Sequence, residues 1–379
     1  MKITFILPAY PYHPIGGFRI VYLYANFLAQ HGHDVTVVHA FKRGPVNDPV
    51  PAWPRGARIV WRKSLYKLKS VTAPKFDWQT IDPRVRLIYV PGDPVEKYIP
   101  DADAVFATAW WTATYVNDYS VTKGKKYYLI QHWEEIFGVP KSEITDTWMM
   151  PLEKIVIARW LQQQGESIGA RNMHYIPNGI DLHQFHVMQP IANRKPAILT
   201  LYHTATWKGT NDALLALAQL HNHFPHIPIT MFGVQKPAED VIPKWISFVI
   251  NPSPQALVRL YNTHTIYLGA SHSEGWGLPP AEAMACGCTV VCTDTGGFRE
   301  YVIPGVTGLV SPVKNPDALY HNLALLLEDP HYCINLQRAA IQHIQQFTVD
   351  AMGSRLEELL VQQLGLATRS HQGGCGSRS

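Results

Sequence analysis

Apolar and polar positions alternate between two rhythms along the chain. Lys2–Pro8 is a nearly unbroken apolar run, the pattern of a strand buried on both faces. A glycine-containing loop, His13-Pro-Ile-Gly-Gly17, follows it. Phe18–His31 then carries Ile20, Val21, Leu23, Tyr24, Phe27 and Leu28 at helical spacing. Gly32 ends this stretch, and Asp34–Ala40 is apolar again. The unit is βαβ with a glycine-bearing first turn, the grammar of a Rossmann-like half.

Further strands are predicted at Ala104–Thr108 and Lys126–Gln131, and one helix over Thr145–Gly165. His174–Asp181 is short, polar and rich in Pro and Gly, so it is a candidate hinge. The same grammar resumes after it. Strands are predicted at Ala197–Tyr202, Ile227–Phe232, Trp245–Ile250, Thr265–Ala270 and Thr289–Cys292. Helices are predicted at Asn211–Phe224, Asp317–Leu327 and Tyr332–Phe347. The pattern predicts an α/β protein of two doubly wound, Rossmann-like domains joined near Asp181.

Composition narrows the class. With 379 residues, 46% hydrophobic and 16% charged, the chain can bury two cores. A net charge of +4 suits anionic ligands without indicating nucleic acid. Five cysteines in a long chain argue for a reducing compartment rather than a disulfide scaffold. The apolar run before Pro8 is too short for a signal-peptide core, and no run reaches the roughly 18 residues of a spanning helix. A cytoplasmic protein is expected, with peripheral contact at the inner face of a membrane left open. Residues 61–75 are basic and interleaved with aromatics. A solvated loop face is the favoured reading over a patch for an anionic acceptor or a membrane. The last residues, 367–379, are expected to form a disordered tail.

The chemistry concentrates in Ser273-Glu-Gly-Trp-Gly-Leu-Pro-Pro-Ala-Glu282. Glu274 is expected in the loop at a strand's carboxyl end. Pro279 and Pro280 suit the opening of a helix, with Glu282 in its first turn. Free N–H groups there, with Gly275, Gly277 and Leu278, would form an anion site. Two carboxylates beside an anion site make sense for a ligand that also carries hydroxyls, such as a nucleoside diphosphate sugar. Lys208, before Gly209 in the first βα turn of the second half, is the candidate cation.

These residues resemble the retaining GT-B glycosyltransferases of the GT4 type. The resemblance is carried by five features in order: Gly16-Gly17 with Gly32-His-Asp-Val-Thr-Val-Val38, Ile176-Pro-Asn-Gly-Ile-Asp181, Lys208-Gly209, the E-x7-E pair Glu274…Glu282, and Thr295-Gly-Gly297 followed by Glu300. It implies two Rossmann-like domains facing an interdomain cleft. Residues 1–182 would bind the acceptor and 183–345 the nucleotide sugar, while 346–366 would form a helix crossing back to the first domain. It further implies retaining transfer with no cofactor and no metal, the leaving phosphate itself taking the acceptor's proton. The acceptor could be a saccharide, a lipid-linked or a small-molecule compound.

The family's roles would fall on Glu274 at the donor sugar, Glu282 at the ribose and Lys208 at the diphosphate. His132 would face the sugar, and Gly16 and Gly17 would allow close approach to donor and acceptor. Trp110, Trp111 and Trp133 could wall the acceptor cleft. One departure stands out. The family usually carries an Arg about six residues before the Lys, where this chain has Tyr202 and His203. Either Arg19, Arg299 or His203 substitutes, or donor binding is weaker. Glu300 could be a surface carboxylate. Two other function classes compete: a nucleotide-cofactor oxidoreductase, for which the G-x-G-x-x-G fingerprint is incomplete, and a non-catalytic nucleotide-sugar sensor or partner subunit of the same fold.

Overall fold

The computed structural model describes residues 1–40 and 76–365. The basic stretch 61–75 and the terminal stretch 367–379 therefore lie outside the described residues. Two parallel sheets organise the described residues. The first has the order β3-β2-β1-β4-β5-β6-β7. Its strands are β1 (Lys2–Leu7), β2 (Asp34–His39), β3 (Arg86–Tyr89), β4 (Ala104–Ala107), β5 (Lys125–Ile130), β6 (Glu153–Val156) and β7 (Met173–Tyr175). The second has the order β10-β9-β8-β11-β12-β13. It comprises β8 (Ile198–Leu201), β9 (Ile229–Gly233), β10 (Ile246–Ile250), β11 (Ile266–Gly269), β12 (Thr289–Thr293) and β13 (Gly308–Ser311).

The helices among the described residues are α1 (Gly16–Gln30), α2 (Trp110–Asp118), α3 (Lys141–Met149), α4 (Arg159–Ser167), α5 (Thr210–His223), α6 (Pro254–Thr263), α7 (Leu278–Ala285), α8 (Pro316–Glu328), α9 (Pro330–Ile344) and α10 (Val349–Gln363). Among the described residues, no helix is long and apolar enough to cross a membrane.

Central strands are buried on both faces, which is why they read as apolar runs. β1 sits between β2 and β4, with Ile3 beside Val35 on one side and Ala104 on the other. β4, β11 and β12 expose almost nothing. In each sheet the strand order reverses beside the first strand, β1 or β8. In open α/β sheets that reversal opens a ligand crevice at the strands' carboxyl ends.

One predicted element is corrected. Thr145–Gly165 is not a single helix: α3 ends at Met149, β6 fills Glu153–Val156, and α4 begins at Arg159. Pro151 lies in that break and lacks the N–H a continuing helix would use. The apolar run Ile155–Ala158 is a buried strand and its exit rather than a helical face.

Helix α10 lies against α1 of the first lobe. The Phe27 ring sits where a side chain on Gly353 would go. His33 Nε2 is 2.8 Å from Glu357 Oε1, and Tyr127 donates its hydroxyl proton to Gln363 Oε1 at 2.9 Å. The first and last described residues therefore lie on the same lobe. Cys286, Cys288, Cys292 and Cys333 are free and buried, packing as small apolar side chains.

Candidate active site

The site is built from loops at the carboxyl ends of β8, β11 and β5. After β8 the chain makes a short 3-10 turn, Thr206–Lys208, and then Gly209 at φ +65°. A Cβ on Gly209 would lie 1.8 Å from the Ala270 carbonyl oxygen, so the left-handed turn and the close approach both demand glycine. This turn carries Lys208 to β11, where its Nζ meets Glu274 Oε1 at 2.7 Å. Ser271 Oγ donates to the same oxygen at 2.7 Å. A small cavity open to solvent is lined by Lys208, Ser271, Glu274, Pro279, Pro280 and Phe298.

The first lobe closes on this cluster through Gly275, whose missing side chain would stand 1.9 Å from the Gln131 carbonyl oxygen. The Gly275 carbonyl accepts a hydrogen bond from Trp160 Nε1 at 2.9 Å. His132, next to Gln131, donates from Nδ1 to the Trp133 carbonyl at 2.9 Å. A carbonyl can only accept, so Nδ1 carries the proton and Nε2 is the free lone pair of the neutral ring. Nε2 points at Ser273 Oγ, 3.4 Å away. Burial lowers the His132 pKa and Lys208 pushes it the same way, against the Trp133 carbonyl and Glu274. The ring is thus neutral at pH 7.

Glu282 is also in the cleft, with two corrections. It is the fifth residue of α7 and so lies in the second turn, not the first. The anion site at the helix start is also smaller than expected. Pro279 and Pro280 follow Leu278 and remove two of the N–H groups a helix start normally offers. Gly277 precedes the helix, and the Gly277 and Leu278 amides remain. Glu282 is 2% exposed. Its Oε1 accepts from Arg19 Nη1 at 2.6 Å, and its Oε2 accepts from Tyr261 at 3.1 Å. Arg19 belongs to α1 of the opposite lobe. Gly16 and Gly17 open that helix: a Cβ on Gly16 would lie 3.5 Å from Leu278 Cδ1, and one on Gly17 3.1 Å from Gln131 Nε2.

Glu300 is not a surface carboxylate. Its two oxygens accept from the Arg159 backbone N–H and the Tyr175 hydroxyl, each at 2.6 Å, tying the second lobe to the start of α4. Burial raises its pKa, opposed by those hydrogen bonds. Of the tryptophans expected to wall the acceptor cleft, Trp111 is instead packed into the core, while Trp133 is half-buried and rests on Trp148 with ring centroids 5.3 Å apart. Sequence reasoning missed Gln131, Trp160 and Tyr261. Ser271 and Ser273 flank Glu274 in Ala270-Ser-His-Ser-Glu-Gly275 and could have been found there.

Residues 184–345 match the family model of "Glycosyl transferases group 1". The chain has the GT-B fold, and the part that matches this model is its second lobe.

Among curated proteins, a D-inositol 3-phosphate glycosyltransferase of Thermobispora bispora is 32% identical over 127 residues, which is 33% of this chain and 30% of that protein. A lipopolysaccharide core biosynthesis mannosyltransferase, LpcC of Rhizobium leguminosarum bv. viciae, is 34% identical over 85 residues, covering 22% of this chain and 24% of the other. The chain thus spans about a third or less of the length of these relatives. Among solved structures, sucrose-phosphate synthase from Thermosynechococcus elongatus aligns over 96% of this chain and 99% of its own, with TM-score 0.71 and 17% identity. Anabaena HepE in complex with UDP and glucose aligns over 96% and 100%, with TM-score 0.71 and 16% identity. At such identities these two establish the GT-B fold alone.

Proposed function

We propose that this GT-B protein transfers a sugar, with retention and without a metal or cofactor, from a nucleoside diphosphate sugar to a saccharide, lipid-linked or small-molecule acceptor. The observation that carries the reading is the Lys208–Glu274 pair at the β8 and β11 strand ends, faced across the cleft by neutral His132. The group 1 family match over the lobe that holds this pair supports it. So do the relatives named as an inositol-phosphate glycosyltransferase and a mannosyltransferase, and the fold shared with a protein solved with UDP and glucose.

In this reading the donor diphosphate displaces Glu274 from Lys208 and takes the ammonium as its counter-charge. Glu274 then turns its acceptor oxygens to the hydroxyls of the donor sugar, and Glu282 accepts from the ribose. The bond from the sugar's anomeric carbon to the phosphate oxygen breaks as the acceptor oxygen arrives on the same face. The acceptor's proton passes to the leaving phosphate. Lys208 stabilises the charge that grows on the diphosphate, and apposition of the lobes holds the acceptor in line. His132, neutral and with a free Nε2, is placed to accept a hydrogen bond from the sugar.

The test is a panel of UDP-, GDP- and dTDP-sugars in excess EDTA, read by thermal shift and by slow donor hydrolysis. One donor should be hydrolysed, and Glu274→Ala should reduce that rate by about 100-fold or more, since the residue acts in the reacting complex. A thermal shift without turnover under any acceptor would leave a nucleotide-sugar sensor as the better reading. Turnover lost to EDTA would remove the metal-free mechanism.

A further inference from the structure

We infer that Arg19 is the second cation of the diphosphate site, and that in the empty protein it is held in reserve on Glu282. The inference rests on the reading above that the cleft takes a nucleoside diphosphate. It identifies what stands in for the Arg that is missing before Lys208.

A diphosphate brings at least two negative charges to a site whose own lobe offers Lys208. Three side chains were open as the second positive group, and the structure separates them. Arg299 is committed to Asp294, with Nε at 2.9 Å and Nη2 at 3.0 Å, and its side chain is 44% exposed. His203 accepts the Ala205 N–H on Nδ1 at 2.9 Å, and burial, reinforced by Lys208, lowers its pKa, so it is neutral. Arg19 differs from both. It stands on the first turn of α1, across the cleft from the α7 start, on the helix whose Gly16 meets Leu278. Its guanidinium lies 5.0 Å over the Phe185 ring and donates to Glu282 and, at 3.3 Å, to Gln184.

Its partner is the carboxylate expected to bind the ribose, so both groups cannot stay as they are when a donor arrives. The exchange keeps the number of hydrogen bonds, and the guanidinium trades one anion for another. Glu282 gives up a guanidinium and gains two ribose hydroxyls, keeping Tyr261. Arg19 gives up one carboxylate and gains phosphate oxygens, which its forked donors fit in pairs. Without the phosphates the exchange fails. A bare nucleoside would draw the guanidinium off Glu282 and offer it no anion in return, an expensive outcome. Arg19 thus makes the site read ribose and diphosphate as one unit. Because it comes from the first lobe, it also ties that reading to the apposition of the lobes.

The experiment measures binding of UDP, GDP, ADP and dTDP to the full chain by calorimetry, then binding of the nucleoside of whichever diphosphate binds. Both are repeated for Arg19→Gln and Arg19→Lys, with melting temperatures as the check on folding. The expected result for Arg19→Gln is at least tenfold weaker diphosphate binding, nucleoside binding that is unchanged or tighter, and partial recovery of the diphosphate in Arg19→Lys. If both ligands tighten, Arg19 merely competes for Glu282 and the inference is overturned. It is equally overturned if both weaken in parallel or neither changes. These three results leave the proposed function standing. Absence of any nucleoside diphosphate binding to the unaltered protein would overturn that reading as well.

Discussion

Replacing Gly275 by alanine puts a methyl group where the first lobe's backbone already stands. The new Cβ would lie 1.9 Å from the Gln131 carbonyl oxygen, and that oxygen belongs to the main chain just beyond β5, so it cannot swing aside. Ordinary contact begins near 3.4 Å, so the lobes must part by about 1.5 Å at this point. Gly275 does not have a positive φ, so alanine adds no local backbone strain and the effect falls on the interface. Parting by that distance stretches the Trp160–Gly275 hydrogen bond from 2.9 Å to well beyond bonding range and moves His132 off Ser273. The stability cost is that of overpacking, about 1–3 kcal/mol.

Turnover should suffer far more. A misplacement of about 1 Å between reacting groups can cost on the order of 100-fold. Gly275→Ala should therefore lower the transfer or donor-hydrolysis rate by about that factor. Binding of the nucleoside diphosphate should weaken less, by about the tenfold expected for losing Arg19 of the first lobe, because Lys208 stays in place within the second. Rate and binding are read side by side on the same preparation, with thermal unfolding as the control. Wild-type turnover at wild-type melting temperature would show that lobe contact through Gly275 does not position the chemistry.

Two further outcomes concern the scaffold. Gly353→Ala drives a methyl to within 2.3 Å of the Phe27 ring carbons and should destabilise the α10–α1 contact by about 1–3 kcal/mol, read as a shifted urea midpoint. His39 is buried, with Nε2 held by the Tyr22 hydroxyl at 2.7 Å, and burial lowers its pKa to about 4 despite the Ile88 carbonyl. Above pH ~6.5 the ring is neutral both folded and unfolded. Between ~6.5 and 4 only the unfolded chain takes the proton, so stability falls by roughly 1.4 kcal/mol per pH unit and then levels off. Urea titrations at pH 7 and 4.5 should differ by roughly 2–3 kcal/mol more in the wild type than in His39→Gln.

The central strands were legible because burial on both faces leaves an unbroken apolar signature, as in Lys2–Leu7 and Thr289–Thr293. Three of the four edge strands among the described residues carry no such signature. β3, β7 and β13 were missed because half-buried or very short strands mix polar and apolar residues, as Met173-His-Tyr175 does. The failure at Thr145–Gly165 has another source: periodicity over a window cannot see a short strand between two helices.

In the site, Glu274, Glu282 and Lys208 stood out because their loop and helix-start positions are local facts. Their actual partners are not local. Arg19 lies 263 positions from Glu282, and Gln131 meets Gly275 from the other lobe. Glu300 could not be read at all from its neighbours in sequence, since Tyr175 and the start of α4 define it. The small anion site at α7 was readable in principle. Consecutive prolines open a helix but lack the N–H groups an anion would use there.

The most direct measurement is a crystal structure of the protein with the nucleoside diphosphate sugar that gives the largest thermal shift. The phosphates should lie between Lys208 Nζ and the Leu278 amide, with the ribose on Glu282 and the sugar between Glu274 and His132. A donor bound outside the cleft, with Lys208 still paired to Glu274, would contradict the account.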